Sequence, residues 1–132
     1  MKTNTIGDGF FEQKVADTII KCKAEGRVLF SSFNPAALGK LKKILPNVPR
    51  ALLVTEEDEP ENKMYLKKMW LAWLAKPHIY NLHHEMFTEE RAAKFRRKGL
   101  KVALWTVNNA DMARKYLALG AESIISDTPN LL

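Results

Sequence analysis

With 132 residues, 46% of them apolar, the chain has the length and the core material of one ordinary domain. Its single cysteine, Cys22, excludes an internal disulfide, and no apolar run is long enough to span a bilayer. The net charge of +6 suits anionic partners, but it comes without a nucleic-acid motif or interleaved stacking aromatics, so nucleic acid is not expected as a partner.

Asp8, Gly9, Glu12 and Asp17 interrupt the first twenty residues, so no secretory signal is read there and a cytoplasmic setting is expected. From about Glu12 to Glu25, Val15, Ala16, Ile19 and Ile20 recur at helical spacing, and Gly26 is a natural stop. Cys22 lies in this segment and reads as a small core residue rather than a reactive thiol. Arg27 to Phe33 is a short apolar run suited to a strand buried on both faces. Asn34 and Pro35 supply an N-cap and a first-turn proline for a helix to about Leu45. A second strand, Ala51 to Val54, follows the loop punctuated by Pro46 and Pro49.

The acidic stretch Glu56 to Glu61 reads as a solvated loop rather than a cation site, because it lacks the ligand spacing of an EF-hand. The next helix, from about Asn62 to Ala75, places Leu66, Met69, Trp70, Trp73 and Leu74 on one face. That face reads as core rather than as a membrane-interface stripe, and membrane association is not expected. His78 to Leu82 is a weaker third strand. Thr88 can cap a helix from Glu89 to Lys98, and Gly99 closes it. Lys101 to Val107 is the fourth strand, Asn109 can cap the next helix, Gly120 closes that helix, and Ser123 to Ser126 is the fifth strand. The basic groups Lys40 to Lys43, Lys67 with Lys68, and Arg96 to Lys98 all fall in predicted helices and read as solvated outer faces. Such alternation predicts a parallel α/β sheet with right-handed crossovers, in a single domain over residues 1–132.

Four segments, in order, resemble the glycerophosphodiester phosphodiesterase family. They are Val28-Leu-Phe-Ser-Ser-Phe33 with Asn34-Pro35, then Leu52-Leu-Val54, then Gly99-Leu-Lys-Val-Ala-Leu-Trp-Thr-Val-Asn-Asn109, and finally Gly120-Ala-Glu-Ser-Ile-Ile-Ser-Asp-Thr-Pro129. Each is weak alone, but together they cover roughly residues 12–129. The resemblance implies a TIM (β/α)8-type barrel with its site at the strands' C-terminal ends. It also implies hydrolysis of glycerophosphodiesters to an alcohol and glycerol 3-phosphate, with a divalent cation, Mg²⁺ or Ca²⁺, and a histidine pair.

The family's His-Arg-Gly segment is absent from these residues, and the three histidines all lie beyond residue 77. The chain therefore resembles strands four to eight, against ~250 residues for a complete barrel. No catalytic residue and no metal ligand is expected within it, and no cofactor for the chain alone. Three positions match the family's substrate side. Trp105 is expected to line the glycerol pocket, with a core role as its alternative. Phe33 is expected as an apolar pocket wall, also with core as the alternative. Lys2 matches a lysine that can pair with phosphate. Adjacent on an extended segment, His83 and His84 should point opposite ways and share no metal. Asp127 reads as a helix- or loop-capping carboxylate rather than a ligand.

Half a barrel leaves strand edges that want partners. A homo-oligomer, or a complementing N-terminal half, is therefore expected. The expectation is a family domain inactive by itself. The rival reading is a non-catalytic module that binds a phosphate ester or a protein.

Overall fold

The computed structural model describes residues 9–55 and 72–132. Lys2, the acidic loop and the side chains of Trp70 and Trp73 lie outside the described residues. The chain divides into two compact units, Met1–Leu53 with Glu57–His78, and Val54–Glu56 with Ile79–Leu132.

In the first unit, helix α1 (Phe10–Lys21) starts from Gly9, whose φ of 96° is open to glycine and whose carbonyl accepts from Gln13 N–H at 2.9 Å. The helix ends at Lys21, earlier than its apolar spacing predicts, because Lys23 turns the backbone left-handed at φ 50°. Cys22 is exposed at that end, so the expected core cysteine is corrected. Cys22 still bonds Thr18 in the helical manner, but six residues on from the fully enclosed Ala16 it stands about 120° round the helix, off the buried face.

Strand β1 (Phe30–Ser32) pairs in parallel with β2 (Arg50–Val54), with Ser31 opposite Ala51. Between them runs α2 (Pro35–Ile44), capped as predicted. Asn34 Oδ1 accepts from Ala36 and Ala37 N–H at 3.0 and 3.4 Å, and Pro35 fills the first turn without forfeiting a bond. Ala37, Leu38 and Leu41 turn inward and are fully buried. Of the helix predicted over 62–75, the described part is α3 (Ala72–Ala75). It packs on α2 so closely that a Cβ at Gly39 would lie 3.2 Å from the Leu74 carbonyl oxygen.

The second unit holds β3 (Ile79–His83), β4 (Lys101–Trp105) and β5 (Ser123–Ile124), parallel and side by side in chain order. Helix α4 (Glu89–Arg97) connects the first two, and α5 (Ala110–Ala118) the last two. Both caps are those read from sequence, with Thr88 Oγ1 accepting from Arg91 N–H and Asn109 Oδ1 from Met112 N–H. Gly99 and Gly120 close the helices at φ 63° and 101°. Three consecutive residues of β4, Val102 to Leu104, are buried, as expected of a strand covered on both faces.

Five parallel strands alternating with helices thus make an α/β fold of the partial (β/α)8 kind. The fourth and fifth strands are shorter than predicted. Beyond them, single bonds continue the association, from Ile125 N–H to the Leu104 carbonyl at 2.8 Å and from Val107 N–H to the Ile125 carbonyl at 3.0 Å.

Candidate functional site

Parallel strands of this kind present chemistry at their C-terminal ends, and in the second unit those ends carry a group of rings and polar side chains. Trp105 is the last residue of β4 and stands in register with His83, the last of β3. The Trp105 indole Nε1–H donates to the Asn81 carbonyl at 3.0 Å, and the His83 ring meets the indole edge-on with centroids 5.2 Å apart. The indole is half-buried and held at two points. It therefore offers a rigid apolar face whose polar edge is already satisfied by the backbone.

The two histidines do not diverge as their adjacency predicts. Their ring centroids lie 4.8 Å apart at a 32° tilt. The strand ends at His83 and the chain enters a 3-10 turn at His84–Met86, so the two-residue alternation no longer applies. His84 Nδ1 reaches Tyr116 Oη at 3.2 Å, while His83 Nδ1 lies 3.7 Å from Glu85 Oε2. Burial, and secondarily the Glu85 charge, hold the Tyr116 phenol above its usual range. Among the described residues, no group of three or more His, Cys, Asp or Glu could hold a metal ion.

Farther along the two loops, Asn108 joins the β4–α5 loop to the loop after β5. Its Oδ1 accepts from Ser126 Oγ and from Asp127 N–H, both at 2.9 Å, and its Nδ2 donates to Asp127 Oδ2 at 3.0 Å. Ser126 Oγ in turn accepts from Thr128 N–H at 3.0 Å. Asp127, expected as a helix- or loop-capping carboxylate, accepts across two loops. Sequence reasoning missed Asn108 altogether, although it sits beside the helix-capping Asn109.

Phe33 belongs to the first unit and is half-buried just past β1. Its neighbours fix it. Ser32 Oγ, fully buried, accepts from Asn34 N–H at 3.0 Å, and Asn34 caps α2. The structure brings His83 and Trp105 together within the second unit.

His78 is placed elsewhere, before β3 begins, about 16 Å in extended chain from that strand's end. Its Nδ1 accepts from Arg50 N–H at 3.1 Å, and its own N–H donates to the Arg50 carbonyl at 2.8 Å. Arg50, 4% exposed, gives its guanidinium to the carbonyls of Ala75, Pro46 and Val48 at 3.2, 3.1 and 2.9 Å. Burial lowers the basicity of Arg50, and burial together with the Arg50 charge holds His78 below its ordinary value. This is a structural charge, tied to backbone.

The fold and the arrangement at its strand ends define a class, a partial (β/α)8-type barrel with five parallel strands. The model of the glycerophosphoryl diester phosphodiesterase family matches residues 10–131, and the chain belongs to that family. It is 29% identical over 120 residues to a glycerophosphodiester phosphodiesterase of Bacillus altitudinis, covering 90% of this chain and 46% of that protein. It is 28% identical over 123 residues to one from Caldanaerobacter subterraneus subsp. tengcongensis, covering 92% and 47%. Among solved structures it resembles an Oleispira antarctica phosphodiesterase in complex with the product sn-glycerol-3-phosphate. That match has a TM-score of 0.71 at 24% identity and covers 95% of this chain and 50% of the other. The chain spans about half the length of the curated relatives it matches.

Proposed function

We propose that this chain is the substrate-side half of a glycerophosphodiester phosphodiesterase, with Trp105 and Phe33 as walls for the glycerol moiety and Lys2 as a phosphate partner. The observation that carries the reading is the family match over residues 10–131, with Trp105 held at a strand's C-terminal end. The reaction would be hydrolysis of a glycerophosphodiester to an alcohol and sn-glycerol 3-phosphate, in lipid metabolism and in the cytosol. The 132 residues do not hydrolyse by themselves. In this reading, cation-holding carboxylates and an acid/base histidine pair belong to the rest of the barrel, which brings in Mg²⁺ or Ca²⁺.

Within this chain, Trp105 contributes shape and dryness. Its bonded indole presents an unreactive face against carbon-bound hydrogens and keeps water from the ester. The test is release of sn-glycerol 3-phosphate from glycerophosphocholine with Mg²⁺ and with Ca²⁺. The chain alone should give none, and a mixture with the N-terminal half of a relative should give turnover. Robust turnover by the chain alone would overturn the assignment and move attention to His83, His84 and Asp127.

Self-association is the second reading, favoured by exposed apolar residues near and past β5, with Leu117, Ile125 and Leu131 exposed by 47, 41 and 68%. A homo-oligomer that covers them would bind a phosphate ester without cleaving it. A strictly monomeric mass by sedimentation at micromolar concentration would sink that reading.

A further inference from the structure

Trp105 is only as well placed as the backbone that carries it. Behind the indole, β4 stops and the chain must cross to α5 through Thr106, Val107 and Asn108. Val107 is 2% exposed and its N–H is bonded to the Ile125 carbonyl, so this loop leans on the loop after β5. That second loop lies outside any strand or long helix and needs a fastening of its own.

Asn108 bridges the two loops with three exposed hydrogen bonds, and each uses a different group on residues 126 and 127. A carboxamide is the only common side-chain group that accepts twice on one atom while donating from the next without adding charge. The arrangement is also reciprocal. Asn108 Nδ2 donates to the Asp127 side chain, and the Asp127 backbone donates to Asn108 Oδ1.

We infer that Asn108 is a positioning residue for recognition of the glycerophosphate, locking the β4–α5 loop to residues 126–128 so that the Trp105 indole keeps its place. The functional part of this inference rests on the proposed pocket wall. The mechanical part does not. Asn108 itself touches no substrate. Without it, Asp127 and Ser126 lose their common partner, the loop after β5 moves independently, and Trp105 samples more than one position at the end of β4.

The experiment uses the full chain, with the Trp105 indole N–H resonance assigned by Trp105→Phe and followed during titration with sn-glycerol 3-phosphate. Asn108→Ala should shift or broaden the indole signal with no ligand present and weaken ligand binding about tenfold. Asn108→Asp places a second carboxylate against Asp127 and should do the same. The exchanged pair N108D/D127N returns one carboxylate and one amide to the same two positions, and should restore both the resonance and the affinity. A generally destabilised chain would not recover in this way.

Should Asn108→Ala not fold, Ser126→Ala removes a single bond of the network and should give a smaller shift of the same sense. An unchanged indole signal in Asn108→Ala overturns the inference, whatever the ligand does. Undiminished binding in a variant whose indole has shifted overturns the functional part. If wild type shows no saturable response at millimolar ligand while the variants still move the indole, the lock stands and the pocket reading of Trp105 is what has failed.

Discussion

The two units differ in where a charge is buried and where rings meet. In the first, the buried charge lies at the start of a strand, where Arg50 bonds three backbone carbonyls and His78 completes the arrangement. In the second, polar side chains stand at the ends of strands and in the loops after them, with His83 and Trp105 half-buried and the Asn108–Asp127 bridge exposed. Barrels of this class place chemistry at strand ends and stability at strand starts. The comparison therefore separates residues whose loss should unfold the chain from residues whose loss should only blunt recognition.

The sharpest way to break that contrast is Arg50→Ala. It leaves three carbonyls without their donor, two of them in buried bonds, and should cost about 3 kcal/mol of stability by chemical denaturation. A cost under about 1 kcal/mol would show that water replaces the guanidinium, and the strand-start argument would fail. Trp105→Phe keeps a ring against His83 but loses the bond to the Asn81 carbonyl. It should cost about 1 kcal/mol while weakening sn-glycerol 3-phosphate binding severalfold. Stability falling as far as in Arg50→Ala would mean the strand ends are as structural as the strand starts. Asn34→Ala removes the α2 cap and should also cost about 1 kcal/mol, with no change at the Trp105 indole.

The smallest effect is the pH dependence contributed by His78. Its folded value is held below the ordinary 6.5, so the unfolded chain binds the proton more readily. The stability it contributes is therefore full above about pH 6.5 and is lost as pH falls from there through the lowered folded value. His78→Asn keeps an acceptor for Arg50 N–H and removes the titration. It should flatten the thermal-midpoint profile on the acid side of neutrality, and an unchanged profile would remove His78 from the account.

Much of this was legible from residue types alone. Asn34, Thr88 and Asn109 were read as caps because each is a short acceptor ahead of a periodic run, and each accepts the bond expected of it. Gly99 and Gly120 were read as helix closures, and their positive φ explains why. The fourth strand, read as Lys101 to Val107, ends two residues earlier, so Trp105 is its last residue. Cys22 is exposed because it stands about 120° round α1 from Ala16, off the buried face, so lying within an apolar-periodic segment was not enough to bury it. His83 and His84 failed because alternation holds only while a strand lasts.

By itself, the sequence determined the alternation of strands and helices, their caps and the family, since these depend on the spacing of neighbours a few residues apart. Tertiary structure alone decided that Arg50 is a buried structural charge bonded to Ala75, that Asn108 meets Asp127 across 19 residues, and that His84 finds Tyr116 across 32. Partners so distant in the chain leave no periodic trace. A hydrogen bond is set by ångström-scale geometry, which only the packed strands and their loops provide.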